Sequence, residues 1–219
     1  MKKKLAIVLA MALLCIMAVG TTLTYFTDTT AVKKNTMTVG KVGITQKING
    51  VENGLSDVPL FPVTVNADST LNNVVDLAVT VTMDAASQNA YVRTIFAFEM
   101  EKVDGQWVNP FTNDVTLVDN GIQMTNVEFM KDEVKYVVGY YTYSTVLEAG
   151  NTTDPSLKQV YLNSSVGNEF SAAVNGQYEI LVRSQAVQTK GFGSAQTALD
   201  TAFCAITTEN TTEIASWFN

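Results

Sequence analysis

The sequence predicts an all-β protein with few short helices, folded as an antiparallel two-sheet jelly roll or β-sandwich. Turn chemistry is the first reason. Asn-Gly or Asp-Gly pairs stand at Asn49-Gly50, Asn53-Gly54, Asp104-Gly105, Asn120-Gly121 and Asn175-Gly176. Such pairs accept the positive φ angles that tight hairpins demand. Alternation between the turns is the second reason. In "NVVDLAVTVTMD", Val75, Leu77, Val79, Val81 and Met83 share one side, while Asp76, Thr80, Thr82 and Asp84 share the other. That is the pattern of a half-buried strand. The third reason is the scarcity of helical periodicity, which leaves sheet-on-sheet packing as the way to bury a core.

The chain opens on Lys2, Lys3 and Lys4, followed by an apolar run from Leu5 to Val19. A basic start and a run this short of the about 20 residues needed to span a bilayer read as a signal peptide, residues 1–24. An uncleaved anchor is the alternative, because Leu23, Tyr25 and Phe26 extend the apolar surface. Gly20, Thr21 and Thr22 interrupt it and favour cleavage. Small-x-small spacing offers a cut after Gly20 or between Thr24 and Tyr25. Cys15 follows Leu14, where a lipoprotein signal needs a small residue, so no lipid anchor is expected.

Residues 25–219 read as a single domain, with no fixed-period repeat and no low-complexity linker. "KVGITQ", "FPVTVN" and "KQVYLN" are short strand candidates. "AYVRTIFAFEME", Ala90 to Glu101, alternates less cleanly. Val92, Phe96, Phe98 and Met100 are expected inward, and Val103-Asp104-Gly105 leads into a hairpin ending at Trp107. "VKYVVGYYTY" and "QYEILVRSQAVQ" are rich in β-branched and aromatic residues. The best helix is "SAQTALDTAFCAI", with Ser194 as N-cap and Ala198, Leu199, Ala202 and Phe203 at helical spacing. "TTEIASWFN" adds a short terminal turn.

Composition excludes several chemistries. The formal charge is −7, and without the three leader lysines 11 basic groups face 21 acidic ones, a balance of −10. Nucleic acid and anionic lipid are therefore not expected as partners, and membrane contact only during export. The chain has no histidine, so neither a Ser-His-Asp or Cys-His arrangement nor a His-ligated zinc site can be written. After cleavage Cys204 is the remaining cysteine; its apolar surroundings predict an inert, buried thiol. Asp57, Asp68, Asp76 and Asp84, or Asp114 and Asp119, are the residues to consider for calcium. No D-x-D-x-D-G loop accompanies them, and solvated turns explain them as well. Tyr140, Tyr141 and Tyr143 resemble a sugar-binding patch, although aromatics in a strand more often pack in a core. Asn151, Asn163 and Asn210 begin glycosylation-type triplets, a pattern that chance supplies in a chain rich in Asn and Thr. No catalytic, cofactor-binding or metal-binding residue is assigned, and no enzyme activity is expected.

The junction carries the most specific signal. Tyr25-Phe26-Thr27-Asp28, then Asn35-Thr36-Met37-Thr38-Val39-Gly40, then Val42 and Ile44 resemble the start of the TasA/camelysin (CalY) family. These are bacterial proteins exported through a SipW-type signal peptidase. The segment "AVQTKGFGSAQTALDTAF" is similar to an Ala-Val-Gln…Gly-Phe…Ala stretch common in them. The resemblance covers about a third of the chain. It implies a secreted jelly roll in the extracellular matrix or at the cell surface, cleaved between Thr24 and Tyr25. It also implies a homopolymer of biofilm-matrix fibres, with an accessory matrix subunit as a further partner. The N-terminal segment, residues 25–46, becomes an assembly strand given to the next subunit, with Tyr25, Phe26, Thr27, Asp28, Val32, Asn35, Met37 and Val39 as its contact residues. A strand added to an open sheet edge gains a main-chain ladder and pockets for alternate side chains. Lys33 and Lys34 then read as gatekeepers against unregistered pairing. The plainer alternative makes residues 25–46 the first strand of their own domain. Two other functions remain beside fibre formation: a non-polymerising adhesin, and a camelysin-type metallopeptidase, which the lack of histidine opposes.

Overall fold

Tight turns set the order of the elements. The computed structural model describes residues 27–29, 42–52, 59–174 and 177–219. Strand β1 (Thr27–Thr29) is followed by β2 (Ile44–Ile48), which turns through Asn49 and Gly50, at φ 51° and 79°, into β3 (Val51–Glu52). Next come β4 (Thr64–Val65), β5 (Leu71–Asn72), β6 (Val75–Asp76), β7 (Val79–Met83) and β8 (Ala90–Glu99). Asp104 and Gly105 join β9 (Glu101–Val103) to β10 (Gln106–Val108), the second hairpin read from the sequence. A 3-10 turn, Pro110–Thr112, precedes β11 (Val115–Asp119), β12 (Gln123–Lys131), β13 (Val134–Thr142) and β14 (Leu157–Leu162). Helix α1 (Asn168–Ala173), strand β15 (Ile180–Gln188), α2 (Ala195–Phe203) and α3 (Thr211–Ser216) complete the chain. Ser194 caps α2 as expected, accepting from the Thr197 amide at 3.2 Å.

With 44% strand and 15% helix, the protein is an all-β sandwich of antiparallel sheets. One layer is the five-stranded sheet β1-β15-β8-β13-β12. The facing layer joins β3-β2-β7 to β6-β14-β11 through residues 151–156. There Met83 N donates to Asn151 O, Thr153 N to Val81 O and Ser156 N to Val79 O. Val79, Val81 and Met83 are fully buried, as their alternation predicts. Leu77, Val79 and Leu157 pack on Phe96 and Phe98, while Val81 and Met83 pack on Ala90 and Val92.

The central strand β8 departs from simple alternation because both of its faces are covered. Val92, Phe96 and Phe98 face the sandwich as expected. Ile95 and Ala97 point the other way, into a second core with Val127, Phe129, Tyr136, Ile214 and Trp217 beneath the C-terminal helices. One further expectation is corrected. Asn120-Gly121 is not a hairpin turn, since it carries the chain from β11 in one layer to β12 in the other. The hairpin that does follow, β12 to β13, turns on Asp132 and Glu133 with φ 48° and 68° and contains no glycine. Asn53-Gly54 and Asn175-Gly176 lie outside the described residues.

Gly139, mid-strand in β13, has a steric purpose. A Cβ there would meet Met124 Sδ at 2.8 Å, Ile122 Cγ2 at 2.9 Å and Phe98 Cε2 at 3.2 Å. Its missing side chain lets the start of β12 close over the sheet.

Candidate functional site: one edge of the five-stranded sheet

Strand β15 is buried on its inner side by an unbroken nine-residue register with β8, from Ile180↔Phe98 to Gln188↔Ala90. On its outer side lies β1, antiparallel, with Thr27↔Val187, Asp28↔Ala186 and Thr29↔Gln185. Of the residues assigned to assembly, Thr27 and Asp28 thus fall in a strand on this edge. Thr24, Tyr25, Phe26, Val32, Asn35, Met37 and Val39 lie outside the described residues, as do the leader, both cleavage positions, Lys33 and Lys34.

Farther along β15 the neighbour is a side chain. Gln46, on β2 of the opposite layer, donates from Nε2 to Val182 O at 3.3 Å and accepts from Ser184 Oγ at Oε1, 2.9 Å. Ser184 in turn meets Thr94 Oγ1 at 3.3 Å. This polar row separates the two apolar clusters of the sandwich: Phe96, Phe98 and Val182 on one side, Val92 and Ala186 on the other.

The face of β15 turned away from the sandwich is held by Arg93, which is fully buried. Its Nε donates to Gln185 Oε1 at 2.7 Å, one terminal nitrogen to Asp200 Oδ1 at 2.9 Å and the other to the Cys204 carbonyl at 3.0 Å. The guanidinium also stacks over Phe203 and Trp217 at 5.9 and 5.5 Å. Burial pulls the Arg93 value down, and the Asp200 carboxylate works against it. A buried cation is tolerable only with partners of this kind. The residue pins α2 and the C-terminal segment onto the sheet. Its one sequence signal was a charge inside the largely apolar "VRTIFAF".

The remaining candidates are not brought into one site. Tyr143 is 5% exposed and packs edge-on against Tyr141 in the core, while Tyr140 lies against the helix-side cluster. The plainer reading of the tyrosines therefore holds. Among the described residues no three His, Cys, Asp or Glu side chains stand together in a way that would hold a metal ion. Asp57 lies outside those residues, while Asp68 caps Thr70 and Asp76 accepts from Gln159. The Asn163 amide is used on Thr116 and Asn113, and that of Asn210 on Ala205 and Thr207. Cys204 is only partly buried, correcting the expected burial, and that burial raises its thiol against the pull of Arg93. Glu99 and Glu101, buried side chains at the other end of β8, were not foreseen as a site.

No family model, no curated protein and no solved structure matches the chain.

Proposed function

We propose that the chain is an exported structural protein of the TasA/camelysin kind, assembling head-to-tail into extracellular matrix fibres. Of its N-terminal segment, residues 25–46, the part around Thr27–Thr29 pairs as a strand with β15 of the next copy, while residues 44–46 stay in β2 against β7. One observation carries this reading. Thr27–Thr29 lies on the β15 edge as a three-residue strand, joined to its own sandwich by residues 30–41 of the chain. An edge that takes this strand from its own chain takes the same strand from a neighbour, the logic of a domain swap. When each copy gives its strand onward instead of exchanging it back with the same partner, the contact is heterologous, and a rotation that closes no ring gives filaments.

Negative-stain electron microscopy of concentrated Tyr25–Asn219 tests the reading, alongside a variant lacking Tyr25 to Met37. Long uniform filaments from the first, and a folded monomer from the second, are expected. Filaments of normal length from the deleted chain would overturn the strand role.

The adhesin reading draws support from a shallow hollow of about 750 Å³ on the outer layer, lined by Asn49, Asp76, Lys158 and Gln159. Polar amides and a carboxylate there suit sugar hydroxyls. Dispersed monomers that bind polysaccharide, with binding lost in Lys158→Ala, would favour it.

A further inference from the structure

Where the chain enters β15, at the end away from β1, two carboxyls that stand two residues apart in sequence are buried. Glu99 is 5% exposed and Glu101 4%. The Glu179 amide donates to Glu99 Oε2 at 2.8 Å, and the Glu99 amide donates to the Glu179 carbonyl at 3.1 Å. The buried Tyr136 hydroxyl donates to the Glu179 carboxylate. On the other side the Asp114 carboxylate stands near enough to Glu101 to push its carboxyl up. Glu101 Oε1 and the Tyr178 hydroxyl are buried with no hydrogen-bond partner among the described residues.

The surrounding charges come from every neighbouring element. Lys102 on β9 and Asp132 and Glu133 of the β12–β13 turn line a notch of about 270 Å³ with Glu99. Tyr136 faces it from β13, Tyr178 and Glu179 from the approach to β15, Lys131 acts on Glu179, and Asp114 faces Glu101. Burial is the main force on both carboxyls and lifts each to about 7. For Glu99 the Glu179 amide pulls down and the Glu179 carboxylate pushes up; for Glu101 the addition comes from Asp114.

We propose that Glu99 and Glu101, with Glu179 and Asp114 as their charged neighbours, form an acid-closed latch: protonation of the two buried carboxyls fastens α1 and the approach to β15 against β8 and β9. Ionisation sets the buried Glu99 carboxylate beside that of Glu179 and the buried Glu101 carboxylate beside that of Asp114, while the neighbouring cation Lys102 is turned over the Trp107 ring at 5.4 Å. The sign follows from linkage. A carboxyl raised on folding keeps its proton in the folded state at a pH where the unfolded chain has lost it. The folded state is therefore favoured below about 4.5 and loses that advantage as pH rises through about 7. Each proton retained by the folded state raises the unfolding constant by up to about tenfold per pH unit in that window. This latch is independent of fibre formation.

Hydrogen exchange of the purified chain at pH 5.5 and pH 8, corrected for intrinsic rates, tests it. Peptides from 168–180 and 99–108 should lose protection at pH 8, while those from α3 do not. Glu99→Gln and Glu101→Gln should each blunt the pH dependence. Glu179→Gln, at an exposed position, keeps an acceptor for Tyr136 but removes the charge that holds Glu99 up, so the opening midpoint moves to lower pH. A purely structural contact would not shift that midpoint. Equal protection at both pH values, or loss spread evenly over the chain, overturns the latch. If a glutamine variant does not fold, the wild-type comparison decides alone.

Discussion

The five-stranded sheet ends in two edges built on opposite plans. The β15 edge is regular: nine residues pair with β8 without a register shift, and β1 lies along its outer side. The β12 edge is irregular. Its register with β13 shifts between Met124 and Glu128, and Glu128 and Lys131 lie beyond the bulge, each tied in an ion pair to Lys135 or Asp132. A bulge and charges are the devices by which sheets discourage an unwanted neighbour. One edge is thus shaped to receive a strand and the other to refuse one. In the fibre proposed above, such asymmetry would direct growth through a single contact and leave lateral association without a template.

The largest expected effect comes from fixing where β1 pairs. Asp28 and Ala186 stand directly opposite, and opposite Cα atoms on antiparallel strands are about 4.5–5.5 Å apart, within disulfide reach. Take Asp28→Cys with Ala186→Cys in a Cys204→Ser background. Oxidation of dispersed chains should close the bond within each chain and abolish elongation, with reductant restoring it. Oxidation of preformed fibres should instead give a covalent ladder on a non-reducing gel. Fibres that elongate with every bond closed inside its own chain would remove β15 as the receiving edge.

The next effect tests whether the receiving edge needs its support. Arg93 joins Gln185 of β15 to Asp200 and Cys204, so Arg93→Ala leaves Asp200 and the Cys204 carbonyl without their cation. Removing one partner of a buried ion pair costs about 3–5 kcal/mol. Asp200 is a quarter exposed, which places the expected loss toward the lower figure. Urea unfolding reads it directly. A loss under about 1 kcal/mol would mean that the C-terminal helices are held by apolar packing and that Arg93 is a passenger.

The same two edges show what a sequence reveals. Strand β7 was legible because one of its faces is buried and its alternation is unbroken. β8 was legible as a strand, but its second buried face was not. Ile95 and Ala97 look like lapses in alternation until helices encoded a hundred residues later cover them. The two Asn-Gly and Asp-Gly hairpins at Asn49 and Asp104 followed from glycine's conformational freedom. The Asp132-Glu133 turn did not, because its left-handed residues carry side chains and their cost is met by the pairing of long flanking strands. β12 itself escaped notice because its inward face offers only Val127 and Phe129 as large apolar residues, while Met124 and Met130 stand exposed on the other face and blur the alternation. Of the candidate site, the β-prone junction at Tyr25 to Val39 was visible and the receiving edge was not. Its residues, Gln46 and Val182 to Val187, are distant in sequence and belong to two layers.

The smallest effect concerns how the refusing edge keeps its shape. Thr125 sits in the β12 bulge, where its hydroxyl donates to Val138 O at 2.7 Å and accepts from Val127 N at 3.1 Å. One side chain thereby occupies both a carbonyl and an amide that the shifted register leaves without ladder partners. Thr125→Val keeps the β-branched shape and removes only the hydroxyl. Leaving two main-chain groups unsatisfied at a partly buried position should cost about 1–2 kcal/mol, read as a lower urea midpoint with an unchanged m-value. If the bulge persists, fibres of the variant should stay single. If the strand instead slips into regular pairing, the register beyond the bulge moves by two residues, and Val127 and Phe129 keep their face but lose their places beneath α3. The cost would then far exceed the loss of two hydrogen bonds. A small loss without lateral bundling would therefore assign the bulge to the packing of Val127 and Phe129 beneath α3, with Thr125 only completing its hydrogen bonds.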